Sequence, residues 1–136
     1  MNCELIFYYS TKTNLCEKAL KNSIKGLDLN FQTAIFATAP EKLGALIISV
    51  FEKTNVVFVV GGFSSDKNGI ENVLSKALAN KAPDDLKKLK NPLSSRDGYL
   101  IRQGGQLLIA LPDEPDEIEA IMSGVVRGYI ETFGEF

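Results

Sequence analysis

Residues 55–60, NVVFVV, constrain this chain most: six positions without a charge, four of them valine. β-Branched and aromatic side chains suit a pleated strand. A run with no polar alternation suits a strand covered on both faces. Such a strand needs helices on each side, and the chain supplies them. Residues 3–9 (CELIFYY) and 30–37 read as two further strands, the latter through Phe31, Ala34, Ile35 and Phe36. A helix over roughly 15–25 follows the first strand, with Asn14 as its cap, Glu17 as the reciprocal partner and Leu15, Ala19, Leu20 and Ile24 facing inward. Thr38, Pro40 and Glu41 start a second helix, whose face is Leu43, Leu46, Ile47, Val50 and Phe51. A third runs over about 70–80 through Ile70, Val73, Leu74, Ala77 and Leu78.

After this βαβαβα order, residues 81–97 are polar, hold two prolines and read as mostly irregular. Residues 98–102 and 106–111 flank Gln103-Gly104-Gly105 and form a hairpin. The last helix starts near Pro115. Ile118, Ile121, Met122, Val125, Val126, Tyr129, Ile130 and Phe133 give it an unbroken apolar stripe, read as core or subunit interface. The expected fold is a three-layer α/β/α domain, with a mostly parallel sheet plus one antiparallel strand, over residues 1–136 without a linker or repeat.

Composition excludes several function classes. With 45% hydrophobic residues, eight Phe and four Tyr, the chain can build a real core. Its net charge is −2 and its one lysine-rich stretch, 81–90, also carries Asp84 and Asp85, so nucleic acid and anionic membranes are poor partners. No run is long enough to span a bilayer, and residues 1–4 lack the basic start of a signal peptide, so a cytoplasmic location is expected. Cys3 and Cys16 read as small buried residues without a disulfide. There is no histidine, which removes Ser-His and Cys-His nucleophile pairs and the common zinc sites. Any chemistry must use carboxylates, lysines, hydroxyls, backbone amides or a bound metal.

Open α/β sheets bind ligands beyond the carboxyl ends of their strands. The loops expected there are 10–13, 38–40, 61–69 and 112–115. Gly61 and Gly62 follow the most strand-like segment and would let backbone amides approach a ligand, with a helix start beyond them. The plain alternative is a tight turn followed by an Asn68 cap with Glu71. Residues 111–117 (LPDEPDE) place carboxylates at a helix start, where they complement its dipole. The sharper reading is a magnesium site, since hard cations take carboxylate oxygens.

Together the two loci resemble the molybdopterin-binding family typified by MogA, MoaB and the N-terminal part of CinA. That family has a strand ending Gly-Gly-x-Gly, then Asp-x-Thr at a helix start. Asn before Gly-x-Ala-Pro-Gly follows, then Leu-Pro-Gly-x-Pro with an acidic residue soon after. Here Gly61-Gly62 follow NVVFVV, Asn91 stands seven residues before Gly98, and Leu111-Pro112-Asp113-Glu114-Pro115-Asp116-Glu117 comes on cue. Thr13-Asn14 resembles the Thr-Asn before the first helix of CinA-type domains. The pattern departs at Ser64, at Gly69 and Glu71 (the Asp-x-Thr positions), at residues 94–97 (SSRD) and at Asp113.

The resemblance implies a ligand pocket of Thr13, Asn14, Gly61, Gly62, Ser64, Ser65, Glu71, Pro112 and Asp113, with Asp66 and Asp116 as candidate metal ligands. It implies a pterin phosphate or nucleotide as ligand: molybdopterin, or Mg2+ with a nucleotide, with adenylyltransferase-type or CinA-type chemistry. It also implies a homo-oligomer, a trimer above all. In that reading a bulky residue at Gly62 abolishes binding while the fold survives. Two other readings stay open: a non-catalytic paralogue acting as an oligomeric scaffold or regulatory module, and an unrelated enzyme using the acidic cluster with magnesium for phosphoryl chemistry.

Overall fold

The computed structural model describes residues 1–31, 34–51, 53–63, 69–77 and 85–133. Seven strands form one sheet: β1 (Asn2–Tyr8), β2 (Asn30–Phe31), β3 (Ile35–Ala37), β4 (Val56–Val60), β5 (Asp85–Leu89), β6 (Gly98–Gln103) and β7 (Gln106–Leu111). Their order is β2-β1-β4-β7-β6-β5, with β3 also beside β1. β1 through β4 and β7 are mutually parallel; β6 pairs antiparallel with both β7 and β5. Among the described strands β6 is therefore the one that runs against the rest, as expected.

The charge-free central strands β4 and β7 are covered on both faces, and all five residues of β4 are fully buried. Cys3, Leu5, Phe7, Val56, Phe58 and Ile109 face one helical layer, made by α1 (Thr13–Ser23), α4 (Pro115–Ile121) and α5 (Arg127–Phe133). Ile6, Tyr8, Val57, Val59, Leu108 and Ala110 face the other, made by α2 (Pro40–Phe51) and α3 (Ile70–Ala77). The alternation follows from the two-residue period of a strand. It makes the domain a three-layer α/β/α sandwich.

Four expectations need correction. First, α1 begins two residues early, because the Cys16 amide donates to the Lys12 carbonyl at 2.9 Å. Asn14 therefore lies inside the first turn, and Lys12 occupies the cap position without a side-chain bond that caps the helix. The buried face is Cys16, Ala19, Leu20 and Ile24, while Leu15 is 59% exposed. Leu15 stands roughly 100° around the helix from Cys16, outside the covered arc.

Second, the expected strand over 30–37 is two short pieces, β2 and β3; residues 32 and 33 lie outside the described residues. Third, the stretch expected to be irregular contains β5, an edge strand of sequence DLKKL. Lysines on an edge keep it solvated and unattractive to further pairing, which is also why it reads like a loop.

Fourth, the final helix is not straight. A kink within Met122–Val126, where Gly124 leaves helical geometry at φ −82°, ψ −132°, separates α4 from α5. Across the kink the apolar phase changes, so that Ile118, Met122, Val126 and Ile130 are buried and Val125 points outward at 62% exposure. Leu78, at the end of the expected third helix, lies outside the described residues, and nothing is described of the Phe51 and Phe133 side chains.

Candidate functional site

The carboxyl ends of β1, β4 and β7 converge at one edge of the sheet. The Gly61 amide donates to the Leu111 carbonyl at 2.9 Å, holding the loop after β4 against the end of β7. Gly61 and Gly62 have φ of +107° and +75°, a region that L side chains rarely adopt. A Cβ on Gly61 would lie 2.2 Å from the Tyr8 carbonyl oxygen, and one on Gly62 would lie 2.3 Å from the Tyr8 ring. Their missing side chains thus make room for Tyr8. A bulky residue at Gly62 would disturb this packing as well as any ligand. The Ile70 amide donates to the Gly62 carbonyl at 2.7 Å.

Lys12, in the loop after β1, forms an ion pair with Glu114, in the loop after β7. The bond and charge of Glu114 raise the Lys12 ammonium above its ordinary value. The pair bridges two loops of the expected pocket. Thr13 is half-buried, Pro112 is buried and Asp113 is half-buried, whereas Asn14 and Asp116 are exposed. Beneath them Cys16 is fully buried. Burial, helped by the charges of Asp113 and Glu114, pushes its thiol up to about 11. The Ser10 hydroxyl oxygen is buried without a hydrogen-bond partner at the end of β1.

Glu71 is turned toward Tyr99 on β6. Burial and then the Glu71 charge and hydrogen bond hold the Tyr99 phenol above its ordinary value. Phe63 stacks near the same ring, 6.1 Å between centroids. Ser64, Ser65 and Asp66 lie outside the described residues.

The most ordered chemistry of this edge was only partly visible in the sequence. β5 runs in the direction of β7, so the connection from β5 to β6 emerges at the same end of the sheet. Asn91 in that connection is 1% exposed and Glu117 on α4 is 6% exposed. The Asn91 side-chain amide donates to Glu117 Oε1 at 2.6 Å, to the Arg96 carbonyl at 3.0 Å and to Ser94 Oγ at 3.1 Å. Ser94 Oγ also donates to Glu117 Oε1, and Arg96 Nη2 donates to Glu117 Oε2 at 2.6 Å. Asp97 accepts the Asn91 backbone amide at 3.0 Å, and Asn91 Oδ1 accepts that of Leu93 at 2.9 Å.

Burial alone would raise the Glu117 carboxyl. The bonds from Ser94, Arg96 and Asn91, with the Arg96 charge, outweigh it and leave the group below its ordinary value. The inward carboxylate of the acidic run is thus Glu117, not its neighbour Asp116. The signal was available: Glu117 is the third residue of α4, the position whose side chain folds back over a helix start.

A divalent ion does not fit this donor set. Both Glu117 oxygens already accept bonds from the chain, and Asp113 faces a guanidinium, Arg96 Nη1, at 3.7 Å. Among the described residues no group of three or more His, Cys, Asp or Glu side chains could hold a metal.

No family model and no curated protein matches this sequence. Solved structures do match the fold. One is the CinA protein, described as of unknown function, from Thermoplasma acidophilum, at 15% identity and TM-score 0.74, covering 96% of this chain and 99% of that one. A second is the molybdopterin biosynthesis enzyme MoaB from Thermus thermophilus, at 11% identity and TM-score 0.71, covering 98% and 94%. A MogA structure aligns at 14% identity and TM-score 0.68, covering 98% and 99%. These likenesses establish that the chain has the α/β fold of CinA, MoaB and MogA over essentially its whole length.

Proposed function

We propose that this chain is a member of the molybdopterin-binding family that binds a pterin phosphate, or a related nucleotide, at the carboxyl edge of its sheet. One observation carries the reading. The fold of the CinA and MoaB structures is present from end to end, and the family-like segments fall together on one edge of it. Gly61-Gly62, Pro112-Asp113 and the residues around Thr13 are far apart in sequence. The Gly61–Leu111 hydrogen bond and the Lys12–Glu114 ion pair tie their loops into one rim. Asn14, Ser64, Ser65 and Glu71 complete the proposed contacts, and Asp66 and Asp116 would be the acidic candidates left for a magnesium-bound nucleotide.

The ligand is small, the location cytoplasmic and nucleic acid is not a partner. No helix among the described residues is long and apolar enough to cross a membrane. A homo-oligomer, trimeric by the resemblance, would find only the outward Val125 of the last helical stripe exposed among the described residues, since Ile118, Met122, Val126 and Ile130 are packed into the core. That use of the stripe favours ligand binding over the scaffold reading.

Anaerobic molybdopterin binding, followed by equilibrium fluorescence with Mg-ATP titrated separately, tests the proposal. Micromolar binding of the pterin supports it and makes adenylylation the next assay. Binding of neither ligand rejects it.

A further inference from the structure

Two of the positions that depart from the family pattern face each other. Arg96 stands in the stretch where the pattern has Gly-x-Ala-Pro, and Asp113 stands where it has glycine. Arg96 Nη1 lies 3.7 Å from Asp113 Oδ1, too far for a hydrogen bond, while Nη2 is bonded to Glu117 at 2.6 Å. A guanidinium carries five N–H donors in a rigid fork, so most of its capacity is left over by these two carboxylates. The Arg96 side chain is 37% exposed, so the remaining donors can reach a ligand.

The anchor of this arginine is fixed. Glu117 is held by Asn91 and Ser94 as well as by Arg96, in a network whose centre is buried. A cation held by such a network loses little freedom when a ligand arrives. The fork also matches the oxygens of a phosphoryl group, on which two parallel bonds can form.

We propose that Arg96 is the fixed cation that receives a phosphoryl oxyanion at this edge of the sheet, in place of a divalent metal ion. The proposal rests on the reading above that the cleft binds a phosphorylated small molecule. It explains how the chain carries Asp113 at a phosphate-binding rim. The aspartate's charge is met by Arg96, and the neighbouring Glu114 is met by Lys12. An arriving phosphoryl group shares Arg96 with Asp113. Removing the arginine therefore weakens binding, and removing the aspartate's charge strengthens it.

Calorimetric titration of pyrophosphate into the full chain, in buffer containing EDTA, is the test. The wild type binds without added metal. Arg96→Ala weakens binding by about tenfold or more, Arg96→Lys keeps part of it, and Asp113→Asn tightens it several-fold. Asp113→Asn keeps the size of the side chain and removes none of the bonds to Glu117, so its result stands even if Arg96→Ala folds poorly. Succinate, a carboxylate control, binds more weakly. Failure to bind without Mg2+, equal affinity for succinate, or an unchanged affinity in both Arg96→Ala and Asp113→Asn overturns the proposal. Pyrophosphate binding through Arg96 with no pterin binding would reject the pterin reading alone. Pterin binding that Arg96→Ala leaves intact would reject the role of Arg96 alone.

Discussion

Asn91 and Glu117, 26 residues apart in sequence, meet at 2.6 Å and lock the β5–β6 connection onto the first turn of α4. Every donor that Glu117 uses comes from residues 91–96, so its loss leaves a buried amide and a guanidinium without their shared acceptor. Glu117→Ala should cost roughly 3 kcal/mol, in the range for breaking a buried charged network from one side. Glu117→Gln, which keeps the shape and one acceptor, should cost less. Urea denaturation of both variants measures this, and a cost under about 0.5 kcal/mol for the alanine would mean that the network is not holding the edge.

The same carboxyl sets an acid limit. Its folded-state value lies below the ordinary 4.5, so the unfolded chain takes up the proton first as pH falls. The stabilisation is fully present above the ordinary carboxylate range and is lost as pH drops through the depressed folded value. The melting temperature of the wild type should therefore fall below about pH 4.5, and Glu117→Gln should remove part of that fall. Parallel melts at about pH 7 and about pH 3.5 decide it: equal falls in the two proteins would assign the acid sensitivity elsewhere.

Tyr8 and the two glycines give a packing test. Gly62→Ala should destabilise the domain by about 2–3 kcal/mol, through the positive φ and the collision with the ring. Shrinking the ring in Tyr8→Leu should make the second substitution at Gly62 less damaging, a coupling that a double-mutant cycle reads directly. Additive costs would show that backbone strain alone forbids a side chain there.

Cys16 should be inert in the folded protein. Its thiol is fully buried and pushed up to about 11, so at about pH 8 almost none is thiolate. A colorimetric thiol reagent should label neither cysteine of the native chain within minutes and both after denaturation, since Cys3 is also buried and raised by its burial. Rapid labelling of Cys16 in the native state would show that the site side of α1 opens.

What the sequence made legible follows from where each element sits. β4 and the β6–β7 hairpin lie in the middle of the sheet, so burial wrote them in apolar residues. β5 lies at the edge, where solvent permits lysines, and DLKKL carries almost no strand signal. At the candidate site, the glycines and the LPDEP run were visible because each is local. The Asn91–Glu117 contact was not, because it exists only once β5, β6, β7 and α4 are assembled. The fold likeness was legible through the same local runs, the glycines after β4 and LPDEP after β7, although overall identity to the solved structures is only 11–15%.

The kink at Gly124 is the clearest case of a sequence pattern read in the wrong phase, and it yields the sharpest comparison. A straight helix through residues 118–133 would bury Val125 as readily as Val126. In the structure Val126 is fully buried and Val125 is 62% exposed. Val126→Ala should therefore cost about 2 kcal/mol, by lost burial and the cavity left in the layer shared with α1. Val125→Ala should cost less than about 0.5 kcal/mol, as most exposed substitutions do. For a domain of this length the first cost corresponds to a fall of about 6–8 °C in melting temperature and the second to almost none. Equal losses at the two valines would mean that the helix runs straight in solution. A large loss at Val125 alone would mean that its outward face is covered by another chain, and sedimentation of the same samples would show that partner as a second copy.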